Sequence, residues 1–135
     1  FFSTPTPEYE IASCLVGSEM CIRDRGKPLS QSEAVNMLKS LSNKMHKVYS
    51  SICLSTYEKQ IVLNDETKVY FRKLKNSQII NYVKNHDVMD RAGAYGIQDY
   101  IGHIGIKRIE GSYNNVLGFP TSVFVEGLKK LNISL

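Results

Sequence analysis

Apolar and polar side chains recur with two different periods along this chain, and each period predicts one type of element. Between residues 31 and 42 the apolar side chains fall three or four positions apart, and the preceding Ser30-Gln31-Ser32-Glu33 fits a capping box. We therefore predict a helix from about Gln31 to Ser42, with Met37 packed in the core. Two more helices are predicted, one from Asn76 to about His86 and one that begins near Thr121.

The period changes to two at Met45, and the alternation continues as far as Thr56. Together with the β-branched content, this pattern predicts a strand. A second strand is predicted from Ile61 to about Leu74, with Asn64-Asp65-Glu66 as a candidate break, and two such neighbours pair most simply as an antiparallel hairpin. A buried strand is predicted from Ile101 to Ile109, and a turn is predicted at residues 111–115.

The order of these elements is helix, two strands, helix, loop, strand, helix. It indicates an α/β or α+β domain, in which helices pack against a sheet. The chain has 135 residues, which is enough for one domain. No apolar run is long enough to span a bilayer, so we expect no membrane partner.

Charge and the metal-binding residue types narrow the possible functions. The net charge is +4, and the first 25 residues carry an acidic excess, so the remainder is the more basic part. A basic body suits an anionic substrate such as a nucleotide, although lysines at solvated surfaces give the same composition. No basic run is interleaved with aromatic residues, so nucleic acid is not an expected partner.

The three cysteines and three histidines show no metal-ligand spacing, so no metal site is assigned. Cys53 lies in an apolar strand pattern, which favours a small buried hydrophobe over a nucleophile.

One stretch has the composition of a site, Met89-Asp90-Arg91-Ala92-Gly93-Ala94-Tyr95-Gly96-Ile97-Gln98. Its glycines and alanines permit tight turns or close approach to a ligand, and charged and amide side chains stand at its ends. It is neither a Walker loop nor a dinucleotide fingerprint. Taken alone, the stretch favours a closely packed loop or helix start, placed between a helix and the next predicted strand.

A second short motif, Gly26-Lys27-Pro28, is a loop by composition. Pro28 fixes its own backbone and biases Lys27 away from the helical region. The tripeptide alone favours a surface lysine in a turn over a lysine that projects into a cleft.

The stretch from Asp90 to Gln98 resembles the signature of the Maf family of nucleoside triphosphate pyrophosphatases. Further matches keep the family's order along the chain from Gly26 to the C-terminus. These matches are Gly26-Lys27-Pro28; Glu33-Ala34 with Met37-Leu38; Leu41-Ser42 with His46 and Val48; Thr67 with Val69 and Phe71; and Gly111-Ser112-Tyr113 followed by Asn115-Val116 and Gly118-Phe119-Pro120. The resemblance implies an α/β fold with a mixed sheet and flanking helices, the C-terminal part of a fold similar to that of inosine triphosphatases.

The resemblance also implies roles for individual residues. Lys27 would contact the substrate's phosphates, and Gln98 would help to select the base. Arg91 is a further candidate for phosphate binding, although the favoured interpretation is that Asp90 and Arg91 orient the loop by pairing with its backbone or with each other. Tyr95 is a candidate for stacking on a base, with packing in the core favoured. Asp99 departs from the family, which often has glycine there, so the loop geometry after Gln98 is an open question.

The implied activity is cleavage of a nucleoside triphosphate to the monophosphate and pyrophosphate, with Mg²⁺ as the expected ion. The subgroup with this signature favours dTTP, UTP and modified pyrimidine nucleotides. The resemblance further implies a protein that often forms homodimers. No stretch of the sequence supports secretion or membrane insertion, so we expect a cytoplasmic location. The alternative is a non-catalytic module that binds a nucleotide or a partner and is linked to septum formation.

Residues 1–25 differ in character from the rest, and we interpret them as a foreign or disordered leader joined to a truncated domain at 26–135. Ser13 to Arg25 resembles the peptide that results when a sequencing adapter is translated in frame. The family's catalytic aspartate belongs to a segment upstream of Gly26, which is not found here. We therefore expect this chain to lack hydrolytic activity, and we expect an open hydrophobic sheet edge and poor solubility.

Overall fold

A four-stranded antiparallel sheet is the framework of the fold. The computed structural model describes residues 9–15, as backbone, and residues 27–134. The strands are β1 (Tyr9–Leu15), β2 (Met45–Thr56), β3 (Gln60–Phe71) and β4 (Ile106–Glu110). They lie side by side in chain order, and every neighbouring pair is antiparallel. Strand β1 lies within the predicted leader, whose boundary at residues 25 and 26 stays a prediction.

The long hairpin of β2 and β3 confirms the predicted alternation and pairing. Ile52 lies opposite Leu63 and Val48 opposite Thr67, so these side chains share one face of the sheet. The deepest burial on β2 and β3 is found on this face. Residues 64–66 continue the strand without the candidate break, because cross-strand partners on β2 pair with each of them.

Helices surround the core on this face. They are α1 (Gln31–Leu41), α2 (Asn76–Asn85), α3 (Tyr100–Gly105), α4 (Tyr113–Leu117) and α5 (Thr121–Lys130), with a 3₁₀ turn at Ala92–Ala94. Helix α1 begins as predicted, since the Ser30 hydroxyl accepts a hydrogen bond from the Glu33 amide at 3.1 Å. Met37 is buried in the core, as predicted.

Three further features differ from the sequence-based expectations. Residues 100–105 form helix α3, so the predicted strand over 101–109 is wrong in its first half and reduces to β4. The predicted turn at 111–115 includes the start of helix α4. The α/β class with flanking helices is confirmed, whereas the mixed sheet expected from the resemblance is antiparallel over the four strands described here.

The hydrophobic core lies between β3 and helices α1 and α2, and it includes part of the 89–98 stretch. Val69, Leu38, Tyr82 and Ala94 are among its fully buried members. Among the residues that the structure describes, none of the helices combines the length and hydrophobicity that a bilayer crossing requires.

Candidate functional site

The stretch from Met89 to Gln98, here called the signature loop, connects α2 to α3 and is anchored in the core. Its middle forms the 3₁₀ turn, where Gly93 and Ala94 have positive φ values of 70° and 66°. Residues 93–97 are buried, whereas Met89, Asp90 and Gln98 are exposed. The middle of the loop is therefore fixed in the core, and its two ends face solvent. This arrangement is suited to presenting side chains to a ligand.

Lys27 lies at one end of the signature loop, although it is distant in sequence. Its Nζ is 3.8 Å from Asp90 Oδ1, and the two side chains are 64% and 83% exposed. Pro28 beside it is buried, so the turn that carries Lys27 is held against the protein. An ion pair this exposed is worth little energetically, so the ammonium can exchange its partner for another anion.

At the other end of the loop, Asp99 joins two groups that the chain brings from different elements. Its Oδ1 pairs with Arg91 Nη2 at 3.3 Å, and its Oδ2 accepts a hydrogen bond from the Tyr82 hydroxyl of helix α2 at 3.0 Å. We call Arg91, Asp99 and Tyr82 the Asp99 cluster. Burial raises the pKa of the Tyr82 phenol well above its usual range, and the neighbouring Asp99 carboxylate raises it further. Tyr82 is thus held as a neutral hydrogen-bond donor.

Gly96 makes room for the Asp99 cluster. A Cβ at this position would stand 2.7 Å from Asp99 Oδ2 and 3.1 Å from Arg91 Cζ. The carboxylate and guanidinium therefore lie directly on the loop backbone. The Asp99 amide also bonds to the Gly96 carbonyl at 3.0 Å, which closes a turn around Ile97 and Gln98.

Tyr95 is a core residue, as the favoured interpretation had it. It is 9% exposed, and its hydroxyl lies 2.6 Å from Nε2 of the buried His46. The Tyr95 ring packs edge-on against Phe71, with ring centroids 5.0 Å apart. These contacts fix the middle of the signature loop to β2 and β3 and leave the ring little surface for a base.

Two other matched motifs meet in a buried polar network beneath α4. Asn115 Nδ2 donates to Thr67 Oγ1 at 2.9 Å and to the Val48 carbonyl at 3.2 Å. The Ser112 amide donates to Thr67 Oγ1 at 3.2 Å. Thr67 and Asn115 therefore hold α4 on the hairpin, which is a structural role.

The structure thus places Lys27 and Gln98, the two residues with substrate roles implied by the resemblance, at opposite ends of the same anchored loop. Arg91 is engaged by Asp99, which follows the loop. Asp90 is paired with Lys27, so the expected pairing of Arg91 with Asp90 is not seen. Over residues 27–134 there is no group of three side chains that could hold a metal ion. The roles of Lys27, Gln98, Arg91 and Tyr95 stay predictions.

Tyr82 and His46 were given no role by sequence reasoning. Tyr82 lies three positions after Ile79, on the same face of α2, and this spacing is the signal that places it inward. Nothing in the pattern pairs it with Asp99. The alternation of β2 places His46 on the buried face, so its burial was predictable from the pattern. Its contact with Tyr95 was not. Cys53, expected in the core, is only half-buried on the opposite face of β2.

Comparison with known proteins finds similarity to the same family that the sequence motifs resemble. The family described as Maf-like protein matches residues 9–131. A dTTP/UTP pyrophosphatase of Christiangramia forsetii is 49% identical over 106 residues, which cover 78% of this chain and 54% of that protein. A dTTP/UTP pyrophosphatase of Aquifex aeolicus is 42% identical over 108 residues, which cover 80% of this chain and 56% of that protein.

The chain spans about half the length of the curated relatives it matches. The family match, in contrast, extends over most of the chain and includes Lys27, the signature loop and the Thr67–Asn115 network. On this match, and on the arrangement of motifs around one loop, the chain belongs to the Maf family.

Proposed function

We propose that this chain is the nucleotide-binding part of a nucleoside triphosphate pyrophosphatase, with pyrimidine nucleotides such as dTTP and UTP as substrates. The observation that carries the proposal is the approach of Lys27 to the signature loop, where Nζ lies 3.8 Å from Asp90 Oδ1. The relatives named dTTP/UTP pyrophosphatase support the substrate class. The proposed activity is that of the full-length relatives, about half of whose length this chain spans.

Lys27 supplies a mobile cation for the substrate's phosphates. Its ion pair with Asp90 is solvated, so a triphosphate of higher charge competes effectively for the ammonium. Gln98 is exposed at the far end of the loop, and its amide can both donate to and accept from the edge of a pyrimidine. Arg91 supports the loop through Asp99 instead of binding phosphate.

The proposed reaction uses a divalent ion, with Mg²⁺ as the expected one. The residues described here do not form a ligand cluster for it, and we assign no ligands. Ions of this kind are commonly held by one or two carboxylates together with the substrate's phosphates, which neutralises charge during phosphoryl transfer. Removal of divalent ions with EDTA should abolish pyrophosphate release by an active form of the protein, and Mg²⁺ should restore it.

Calorimetric titration of the chain with dTTP and dTMP tests the role of Lys27. We expect Lys27→Ala to weaken dTTP binding about 10-fold, in the range of one charge-assisted contact, and to affect dTMP less. Lys129→Ala, at an exposed position on α5, is the matched control and should leave both affinities unchanged. Equal losses for the two nucleotides would show that Lys27 does not act on the β and γ phosphates.

A chimera tests the reaction itself. Residues 26–135 would be joined to the N-terminal segment of the Christiangramia forsetii relative, and pyrophosphate release from dTTP would be measured. We expect hydrolysis that falls at least about 10-fold in Lys27→Ala. A chimera that binds dTTP and never releases pyrophosphate would favour the alternative, a non-catalytic binding module linked to septum formation. Homodimer formation is a further proposal that rests on the resemblance alone, and a cytoplasmic location is one that rests on the sequence pattern.

A further inference from the structure

Asp99 occupies the N-cap position of helix α3, where an aspartate side chain normally accepts a hydrogen bond from the first turn. Here it makes no capping bond. Its two carboxylate oxygens are directed instead to Arg91, in the signature loop, and to Tyr82, in helix α2. The Asp99 carboxylate thus stabilises contacts with other elements and does not cap its own helix.

The three members of the Asp99 cluster enclose the short segment that carries Gln98. Arg91 precedes the segment, Asp99 follows it, and their side chains meet over Gly96. The Arg91 and Asp99 side chains are only 37% and 18% exposed, so their pairing is less screened than that of the Lys27–Asp90 pair. The Tyr82 ring is fully buried, which fixes one oxygen of Asp99 to the core.

We infer that Arg91, Asp99 and Tyr82 are positioning residues that fix the backbone from Gly96 to Asp99 and thereby set how strictly Gln98 selects the base. The inference rests on the proposed function, because it concerns the same nucleotide site. None of the three side chains needs to touch the nucleotide. Their effect on the ligand is transmitted through the Gly96–Asp99 turn, in which the Asp99 amide bonds to the Gly96 carbonyl.

Gln98 is well suited to this kind of control. An exposed amide side chain selects a base only if its donor and acceptor ends are aimed consistently, since the two ends have opposite preferences. Ile97, which precedes Gln98, is buried, and Asp99, which follows it, is held by the hydrogen bond from Tyr82. If Asp99 loses its contacts, the backbone that follows Gln98 becomes free to move, because only the preceding Ile97 is held by the core. We therefore expect the discrimination between bases to fall more than the affinity for any one nucleotide.

The experiment uses the full chain with Asp99→Asn, which is nearly isosteric and removes the charge. Amide hydrogen exchange of residues 96–103 and the ratio of dTTP to dATP affinity are both measured. Arg91→Gln serves as a second variant in case Asp99→Asn fails to fold. Glu110→Gln is the matched control, because it removes the carboxylate of an exposed Arg–Glu pair at 2.9 Å on β4.

We expect exchange at the Asp99 amide to accelerate at least about 10-fold in either cluster variant, and the dTTP preference to fall by a similar factor. The Glu110→Gln variant should change neither quantity. Unchanged exchange in both cluster variants, or faster exchange with an unchanged preference, would overturn the inference. A wild-type chain that binds neither nucleotide would refute the proposed function. A wild-type chain that binds dTTP with a preference that the cluster variants leave unchanged would refute the inference alone.

Discussion

At the scale of single residues, the most consequential feature is a buried phenol that must stay neutral. The Tyr82 side chain is fully buried, and its hydroxyl donates a hydrogen bond to Asp99. Ionisation would place a second negative charge beside that carboxylate in a poorly solvated position. The fold therefore depends on the protonated form of this tyrosine, and its stability is coupled to pH.

The pH dependence has a definite sign. Burial, with Asp99 as the second cause, raises the pKa of Tyr82 in the folded protein above its unfolded value of 10.0. The contribution of the neutral phenol is thus complete below pH 10 and is lost as the pH rises above it. We expect the free energy of unfolding to fall between pH 10 and 11.5 more steeply in the wild type than in Tyr82→Phe.

Tyr82→Phe should also cost about 1.5–3 kcal/mol at pH 7, since the hydrogen bond that it removes is made to a charged group. Urea unfolding at several pH values measures both effects. Tyr57→Phe is the control, because Tyr57 is 83% exposed and should change neither the stability nor its slope with pH. Identical alkaline slopes for wild type and Tyr82→Phe would contradict the assignment.

At the scale of elements, helix α3 depends on close contact between its backbone and the signature loop. A Cβ on Gly102 would stand 2.7 Å from the Gly96 carbonyl oxygen and closer still to that of Ile97. Both obstacles are backbone atoms, which cannot move without disturbing the loop. Gly102 is therefore required because no side chain fits at this position, even though glycine is a poor helix former.

Gly102→Ala and Gly127→Ala should therefore have different effects, although both replace a buried helical glycine. At Gly102 we expect a loss of about 1–3 kcal/mol or more, as for other overpacked sites. At Gly127 the nearest atoms are methyl groups of Leu54 and Leu63, which can shift, so the gain in helix propensity offsets the crowding.

Thermal unfolding of the two variants measures this difference. A Gly102→Ala protein as stable as wild type would show that α3 does not rest on the loop as described.

The same helix marks the limit of what the sequence predicts. Local signals, which are periodicity, helix caps and β-branched content, identified α1, α2, α5 and the β2–β3 hairpin, because each has a pattern that local sequence determines. Residues 101–109 contain several isoleucines, which favour a strand locally, and two glycines that a strand tolerates at a bulge or a close approach. Packing of Gly102 against the loop carbonyls overrides that preference, and such tertiary contacts are absent from a local pattern.

The candidate site was predictable to a similar extent. Motif resemblance identified Lys27 and the signature loop, and the structure brings them within ion-pair distance. The Asp99 cluster was not predictable, because Tyr82 and Asp99 belong to different elements with no periodic relation between them. Asp99 was recognised only as a departure from the family pattern.

At the scale of the whole molecule, polar side chains form cross-strand pairs on the outward face of the hairpin. Ser51 donates to Asn64 at 2.5 Å, and Lys47 lies 3.8 Å from Glu66. Val62 interrupts this polar face and is 63% exposed. Its exposed fraction is the largest among the exposed large hydrophobic residues on β2 and β3, so association of molecules through this face would bury it.

Val62→Lys should therefore reduce concentration-dependent association and raise solubility, with a change in stability within about 0.5 kcal/mol, as is usual at the surface. Light scattering and a thermal melt at two protein concentrations measure these effects. Val69→Ala provides the contrast, since Val69 is fully buried on the inner face and its truncation should cost about 1–3 kcal/mol. The expectation of poor solubility is contradicted if the wild type melts as a monomer at both concentrations.

The strand order described for the sheet also has a kinetic consequence. Strands β2 and β3 are joined by a turn of three residues, 57–59, whereas β4 reaches β3 only after two helices and the signature loop. Closing a short loop costs little chain entropy, so the long hairpin is favoured to form early and β4 to dock late. The loop that carries Gln98 lies in the segment that closes late, so it would acquire its final shape after the hairpin that supports it.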